Sequence, residues 1–551
     1  MYLVKPKGRP LRKRPWLIAA VAVGCFVVSP IMVLAFLAAQ GSEGLWTHLA
    51  ANVLPVALHD TLILMLGVGV LVSIIGTGTA WLVTAYDFPA RRALSWALLL
   101  PLSVPTYIIA YAYLDILHPI GPVQTVLRMA LGIASPRDFR LPDIRSMAGC
   151  ILLLGFVLYP YVYLTTRAMF QTQAAGLIEA ARVLGTRKAS LFFRVALPLA
   201  HPAIAIGVSL ALMEALNDIG ASEFLGVRTL SVSIYTSWVT RSDLPGAAQI
   251  ALVMLLVIVS LVMAERWARR HRRYAASSKR PHPLKRVPLK GGVAAAAFVL
   301  CATPILVGFV APALYLVAES IKRIRFGGIS TAIVRELVNT ISVSLAATFA
   351  VIGLGLVVAY AARLGRGGFL ATAAVRLASL GYAIPGTVLA IGILPLITGV
   401  DAILDDALQS VTDMPARLWI LGSGLGLVIA YTARFLAISV GGIEAGFTRV
   451  SSSLDDASRT LGKSAGSTLW RVHLPLIRPA VSAAALLVFV DVMKELPITL
   501  LLRPLNFETL ATHLYGEAAR GTYEEAAIAA LVIVAAGIIP VIVLGRADRT
   551  S

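Results

Sequence analysis

The sequence predicts an all-α polytopic membrane protein, with about twelve transmembrane helices in two tandem, parallel six-helix repeats. Three observations carry that reading. The 551 residues are 58% hydrophobic and only 14% charged, whereas a soluble chain of this size needs more polar surface. Apolar runs long enough to cross a bilayer as helices recur about twelve times. They lie near 16–39, 57–84, 93–115, 148–170, 200–221 and 246–264, and again near 291–317, 337–362, 370–397, 417–440, 479–501 and 527–545. A polar, helix-forming island between such runs occurs twice, at matched places in the two halves.

The first island reads Glu179-Ala180-Ala181-Arg182-Val183-Leu184-Gly185 and closes on Leu197-Pro198; the second reads Asp456-Ala457-Ser458-Arg459-Thr460-Leu461-Gly462 and closes on Leu474-Pro475. Gly462 follows Gly185, and Pro475 follows Pro198, at one common offset of 277 residues. Further markers keep nearly the same spacing. Asp60-Thr61 opens the second run of one half as Asn339-Thr340 opens its counterpart, and Val104-Pro105-Thr106 parallels Ile384-Pro385-Gly386. Thr229-Leu230 with Tyr235 parallels Thr509-Leu510 with Tyr515. An even number of spans per half inserts both halves in the same orientation, so the repeat is parallel and its axis lies along the membrane normal. The expected organisation is a basic N-terminus at 1–16, a first repeat at 17–264 (core about 57–264), a linker at 265–290, and a second repeat at 291–546 (core about 337–546).

The net charge of +20 is placed as a membrane protein places it, not as a nucleic-acid binder does. It gathers before the first span (Lys5, Lys7, Arg9, Arg12, Lys13, Arg14) and in the linker, which is expected to lie beside anionic headgroups. With both termini cytoplasmic, roughly 30 Lys and Arg fall inside and roughly 13 outside, as the positive-inside rule requires. Lys322, Arg323 and Arg325 are the exception. The first apolar run is too long for a signal-peptide core and is expected to remain as an uncleaved helix. Cys25, Cys150 and Cys301 lie in or beside apolar runs without disulfide or metal-type spacing, and are read as packing residues.

Each island is expected to form a helix–turn–helix on the cytoplasmic side. Residues 172–184 have helix-forming composition, Gly185 suits the left-handed position that ends a helix, and a second short helix over about 188–196 leads to Pro198 at the entry to the next span. Such an element fills a groove on a partner protein. Ala457 to Ser464 also fits a relaxed phosphate-loop pattern, but no strand precedes it and it lies in a predicted helix. Nucleotide is therefore not expected on this chain, and no nucleophile–base pair or metal cluster marks it as an enzyme. Within the spans, Glu214 and Asp218 lie four residues apart and share a helical face; Asp491 and Glu495 occupy the matching places. Carboxylates at membrane depth are costly and mark pathways, so these four are candidates for a translocation path. Lys494 is spaced to pair with Asp491.

The pattern E-A-A-x-x-x-G followed by L-P resembles the EAA loop of ATP-binding-cassette importer permeases, and here both halves carry it. The resemblance spans nearly the whole chain and implies two permease domains fused into one, with the type I importer transmembrane fold. It implies that Glu179, Ala180, Ala181, Gly185, Leu197 and Pro198, with Asp456, Ala457, Gly462, Leu474 and Pro475, dock ATPase subunits. It also implies two copies of a cytoplasmic ATPase subunit as the ones that hold ATP, a periplasmic substrate-binding protein, a bacterial inner membrane, and no cofactor on this chain. The second island departs from the pattern at Asp456 and Ser458. Two further strings, Ala211-Leu212-Met213-Glu214-Ala215-Leu216-Asn217-Asp218-Ile219-Gly220 and Asp491-Val492-Met493-Lys494-Glu495-Leu496-Pro497, are similar to iron(III) importer permeases. Hard carboxylate oxygens suit a hard trivalent ion without selecting iron. Thiamine, polyamines or another small solute stay open as cargo, and an ion-gradient-driven carrier is the competing class. The segments 116–147, 318–336 and 502–525 are expected to face outward.

Overall fold

The computed structural model describes residues 14–547 apart from 42–43, 134, 173–177, 180, 182, 184–185, 187, 271–285, 329, 366–367 and 412–416. Among the described residues eleven helices are long and apolar enough to cross a membrane, or twelve if one sharply bent pair counts as a span. The helices of the first half include α1 (Arg14–Gln40), α2 (Leu54–Ala85), the bent pair α3 (Arg91–Ala97) and α4 (Thr106–Ile116), α5 (Met147–Thr172), α6 (Leu197–Asn217), the short α7 (Gly220–Phe224) and α8 (Leu230–Tyr235), and α9 (Leu244–Arg270). Those of the second, spans and short helices together, include α10 (Gly291–Ile305), α11 (Ala311–Gly327), α12 (Thr331–Gly365), α13 (Phe369–Ala378), α14 (Gly386–Gln409), α15 (Leu425–Phe447), α16 (Ser453–Thr460), α17 (Ala465–Thr468), α18 (Leu474–Met493), α19 (Pro497–Leu502), α20 (Leu510–Arg520) and α21 (Tyr523–Ala547). Among the described residues the strand content is one two-residue parallel pair, β1 (Tyr86–Asp87) with β2 (Val287–Pro288).

Packing partitions the chain differently from covalent order. One compact unit takes in Met1–Ser42, Ser242–Leu252 and Val334–Leu510; the other takes in Glu43–Arg241, Val253–Ile333 and Ala511–Ser551. In the first unit α1 lies on α13 and α14. Ala20, Val23 and Val27 of α1 enter one apolar cluster with Val358, Ala374 and Leu436. The approach is close because a Cβ on Gly392 would stand 2.2 Å from the Pro30 carbonyl oxygen. In the second unit α11 lies on α21, and Tyr315 of α11 donates a hydrogen bond to Asp115 of α4 at 2.7 Å.

The third run, expected as one span over 93–115, instead bends by 94° between Ser103 and Thr106. Pro105 is the cause. It cannot donate a backbone hydrogen bond, and it holds the residue before it in extended conformation. A 3-10 turn (Leu100–Ser103) precedes it, and Pro105 caps α4 with φ −58° and ψ 145°. The counterpart Pro385 follows the 3-10 turn Gly381–Ala383 and caps α14 with φ −57° and ψ 147°. The repeated X-Pro is thus one backbone device used twice.

A second device accommodates proline inside long helices. Five-residue π segments at Leu49–Val53, Phe192–Ala196, Leu306–Val310 and Leu469–His473 each end two residues before a proline: Pro55, Pro198, Pro312 and Pro475. The residue between bonds five back, as Leu197 does to the Phe192 carbonyl and Leu474 to the Leu469 carbonyl. The wide turn absorbs the clash that a proline ring makes with the carbonyl four residues earlier. Pro198 and Pro475 therefore do not mark the boundary expected between a short helix and a span. The helix runs unbroken over Phe192–Asn217 and over Ala465–Met493.

The basic cluster Lys322, Arg323 and Arg325, the exception to the charge rule, also has a structural setting. Gly291–Gly327 is one 37-residue helix, about 55 Å long against a hydrocarbon core of about 30 Å, so its end stands clear of the bilayer. There Lys322 pairs with Glu319 at 2.5 Å and Arg323 with Glu525 at 2.8 Å.

The repeat markers prove to be matched bolts. The Thr61 hydroxyl donates to the Ala57 carbonyl at 2.6 Å and accepts from the Leu230 amide at 3.0 Å. The Thr340 hydroxyl donates to the Glu336 carbonyl at 2.7 Å and accepts from the Leu510 amide at 2.9 Å. Each satisfies the first amide of a helix that starts inside the protein, at the buried Leu230 or Leu510. A buried amide left without a partner costs about 1–3 kcal/mol. Thr61→Val and Thr340→Val should therefore each lower the thermal midpoint of the detergent-solubilised protein by a few degrees, to similar extents, in a scanning fluorescence melt.

Candidate coupling and translocation sites

The second island forms as expected and is held more firmly than its sequence indicates. Gly462 has φ 71°, a conformation that favours glycine. The Gly462 amide bonds the Arg459 carbonyl at 2.9 Å and the Lys463 amide bonds the Ser458 carbonyl at 3.1 Å, the pair of bonds that closes a Schellman turn. Ser464 then caps α17 by accepting from the Ser467 amide. Beneath the turn, the buried Asp455 accepts from Arg363 of α12 (2.8 Å to Nη2) and lies 2.8 Å from Nε2 of His473. Arg363 also donates to the Phe447 and Val450 carbonyls. Tyr360 donates to the Ala465 carbonyl at 2.8 Å, and Ser458 and Thr468 share a hydrogen bond at 2.6 Å. Sequence reading passed over Asp455, Arg363 and His473; only the acidic residue beside Asp456 hinted at them.

Asp456 itself points outward, 59% exposed, at 3.5 Å from Arg459. Ala457 and Pro475 are exposed, Leu474 is half-buried, and Leu461 is 75% exposed beside Leu454. The outer face of α16 is therefore a small apolar surface with one acidic group. In the first island, Ala180 and Gly185 lie outside the described residues. Ile178 is buried, Glu179 and Ala181 are half-buried, and Val183 is 88% exposed. The Thr186 amide bonds the Ala181 carbonyl at 3.2 Å, the equivalent of the Lys463 to Ser458 bond. Leu197 and Pro198 follow the π turn as Leu474 and Pro475 do.

The four membrane carboxylates fall into two kinds. Asp218 is buried and accepts from Thr106 at 2.6 Å, from the Ser222 amide at 2.8 Å and from the Ser222 hydroxyl at 3.0 Å. Glu495 is buried and accepts from the Ile498 amide at 3.0 Å and the Thr499 amide at 3.2 Å. Both therefore cap the short helices α7 and α19, and the spans expected over 200–221 and 479–501 break there. Arg434 of α15 supplies the cation that Glu495 faces. A Cβ on Gly386 would stand 2.8 Å from both Arg434 Nη1 and Glu495 Oε1, so that glycine makes the room for the pair. Glu214 is half-buried one turn before Asp218. Asp491, one turn before Glu495, pairs with Lys494 at 2.9 Å.

This arrangement, two matched polar islands and two capped helix breaks on a duplicated helical frame, has relatives. The family model described as "Binding-protein-dependent transport system inner membrane component" matches the chain twice, over residues 73–273 and 351–547. The chain belongs to that family. It is a fused, two-domain permease of the ABC transporter class, a multi-pass inner membrane component. The permease is similar to the Fe(3+)-transport system permease protein FbpB 2 of Haemophilus influenzae, with 23% identity over 494 residues, 89% of each chain. It is also similar to the probable ABC transporter permease protein y4fN of Sinorhizobium fredii, with 23% identity over 90% of this chain and 87% of the relative. The molybdenum transport system permease protein ModB of Escherichia coli matches one half: 29% identity over 197 residues, 34% of this permease and 82% of the relative.

Removing one partner of a buried ion pair costs about 3–5 kcal/mol. Asp455→Ala should therefore speed amide hydrogen exchange across 453–468 at least tenfold, whereas Asp456→Ala should leave it within twofold. Hydrogen-exchange mass spectrometry of the detergent-solubilised permease checks both.

Proposed function

We propose that this permease imports iron(III), handed to it by a periplasmic binding protein and driven by ATP hydrolysed on two copies of a separate cytoplasmic ATPase subunit. Both termini and both islands lie on the cytoplasmic side. The observation that carries the iron assignment is the relative named for Fe(3+) transport, which aligns over 89% of each chain. The molybdenum and sulfate permeases align over about a third of this one.

The geometry supports a definite route for the mechanical work. α16 is tied to α12 through Asp455 and Arg363, and to the base of α18 through His473. From α17 the helix continues without interruption over Ala465–Met493, 29 residues or about 43 Å, to the Glu495 cap of α19. On the other side Phe192–Asn217 runs to the Asp218 cap of α7 in the same way. A partner that presses on the islands thus moves two rigid rods, whose far ends hold the short helices. Closure of the ATPase pair favours one conformation by binding it more tightly, and energy enters in no other way. Among the carboxylates, Asp218 and Glu495 hold the breaks, while Glu214 and the Asp491–Lys494 pair are the charged groups one turn before them.

Reconstitution with the cognate ATPase and binding protein tests this. Vesicles loaded with ATP on the ATPase side should accumulate iron(III), and vesicles without ATP should not. Accumulation of thiamine or a polyamine instead would replace the cargo. Accumulation under an ion gradient without the ATPase would replace the mechanism. In the same assay, Glu214→Gln combined with Asp491→Asn should cut iron uptake at least fivefold while the ATPase subunits still co-purify.

A further inference from the structure

The two tyrosines that the repeat makes equivalent, Tyr235 and Tyr515, touch. Each stands five residues after the leucine of a Thr-Leu pair, and their rings meet edge-on with centroids 6.2 Å apart. The two repeats therefore meet at this pair, within one compact unit, and in duplicated carriers substrate sites lie where the repeats meet. Its distance from the islands follows from the rods. Phe192–Asn217 rises 26 residues from the docking side, about 39 Å. The short helices beyond it lie at the opposite mouth.

A carboxylate completes the cluster. Tyr515 donates a hydrogen bond to Glu223 Oε2 and is hydrogen-bonded by Tyr235 as well. Phe224 stacks on the Tyr515 ring with centroids 5.4 Å apart and 26° between the planes, which fixes the orientation of the phenol. Tyr515 is buried, while Glu223 and Tyr235 remain half-buried and reachable from one side. Among the described residues, the Glu223 carboxylate meets a phenol and no ammonium or guanidinium group. Asp218 and Glu495 differ from it, since backbone amides satisfy both.

We propose that Glu223, Tyr235 and Tyr515 form a transit site for a hard trivalent cation at the outer mouth of the path; this rests on the iron reading above. Two phenolates and a carboxylate are three hard oxygen donors, and their three negative charges balance the ion. Binding releases the two phenolic protons to solvent and changes no oxidation state. Without the ion, the hydrogen bonds among the three groups hold the site closed. With it, the same oxygens turn onto the cation, so that arrival of cargo loosens the closure it must pass.

The test uses the full chain in nanodiscs titrated with iron(III) nitrilotriacetate. The unaltered protein should develop the visible charge-transfer absorption of tyrosinate bound to iron(III). Tyr515→Phe and Tyr235→Phe should each lose most of it, and Glu223→Gln should weaken the binding at least tenfold. Phenylalanine keeps the ring contacts, and an unchanged thermal melt confirms that each variant is folded. Absence of the band from the unaltered protein, or its persistence in the double tyrosine variant, overturns the site. Iron uptake by reconstituted vesicles separates this from the wider reading. Uptake that the double variant leaves unchanged sinks the site and spares the iron assignment. No iron uptake by the unaltered transporter sinks the assignment, and the transit role with it.

Discussion

A helix broken inside a bilayer exposes backbone amides where no water can reach them, and that constraint organises this permease. Four side chains answer it at matched places. Thr61 and Thr340 accept from the amides of Leu230 and Leu510. Asp218 and Glu495 accept from the amides that open α7 and α19. Without these acceptors the short helices α7, α8, α19 and α20 would open on buried amides with no partner. Non-helical backbone is tolerated there only where it is buried in protein or lines a cavity. The same residues that satisfy the backbone thus fix where each of these short helices begins.

The duplicated device is anchored in two different ways. Under the second island the anchor is ionic: Asp455, Arg363 and His473, with Arg363 also lying over the Phe447 ring at 5.3 Å. In the first half the equivalent places hold Ile178 and Ala196, and Trp81 takes the place of Tyr360. Trp81 packs edge-on against Phe170 at 5.3 Å and at a tilt of 45° against Phe192 at 5.4 Å. A buried ion pair fixes orientation through directed bonds, while an aromatic cluster fixes position through area. The two islands are therefore not interchangeable: one is held by directed ionic bonds and the other by aromatic packing.

Much of this frame was legible in the residues. Hydropathy located the spans, because a bilayer demands length and apolarity and little else. The common offset exposed the repeat, and Gly462 announced a left-handed turn. The 94° bend at Pro105 was missed because the run from 93 to 115 is apolar throughout, and hydropathy does not register a change of direction. The π turns before Pro198 and Pro475 were missed for a related reason: a proline marks a break in most helices, and here one widened turn removes the clash. Asp218 and Glu495 were recognised as costly carboxylates, but their amide partners lie on helices whose start was not visible. Asp455, Arg363 and His473 are far apart in sequence, and nothing in local composition joins them. The exchange of α1 into the unit built on α12–α19 is likewise a matter of packing, to which covalent order is blind.

The account stands on both islands facing the same, cytoplasmic side, where a motor reaches them. Cys25, Cys150 and Cys301 are the three cysteines of the chain, so a cysteine-free form carrying a single cysteine at exposed Val183 or at exposed Leu461 reports each island separately. A membrane-impermeant maleimide should label both positions in inside-out vesicles and neither in intact spheroplasts. Labelling of either position from the outside of spheroplasts would contradict the account.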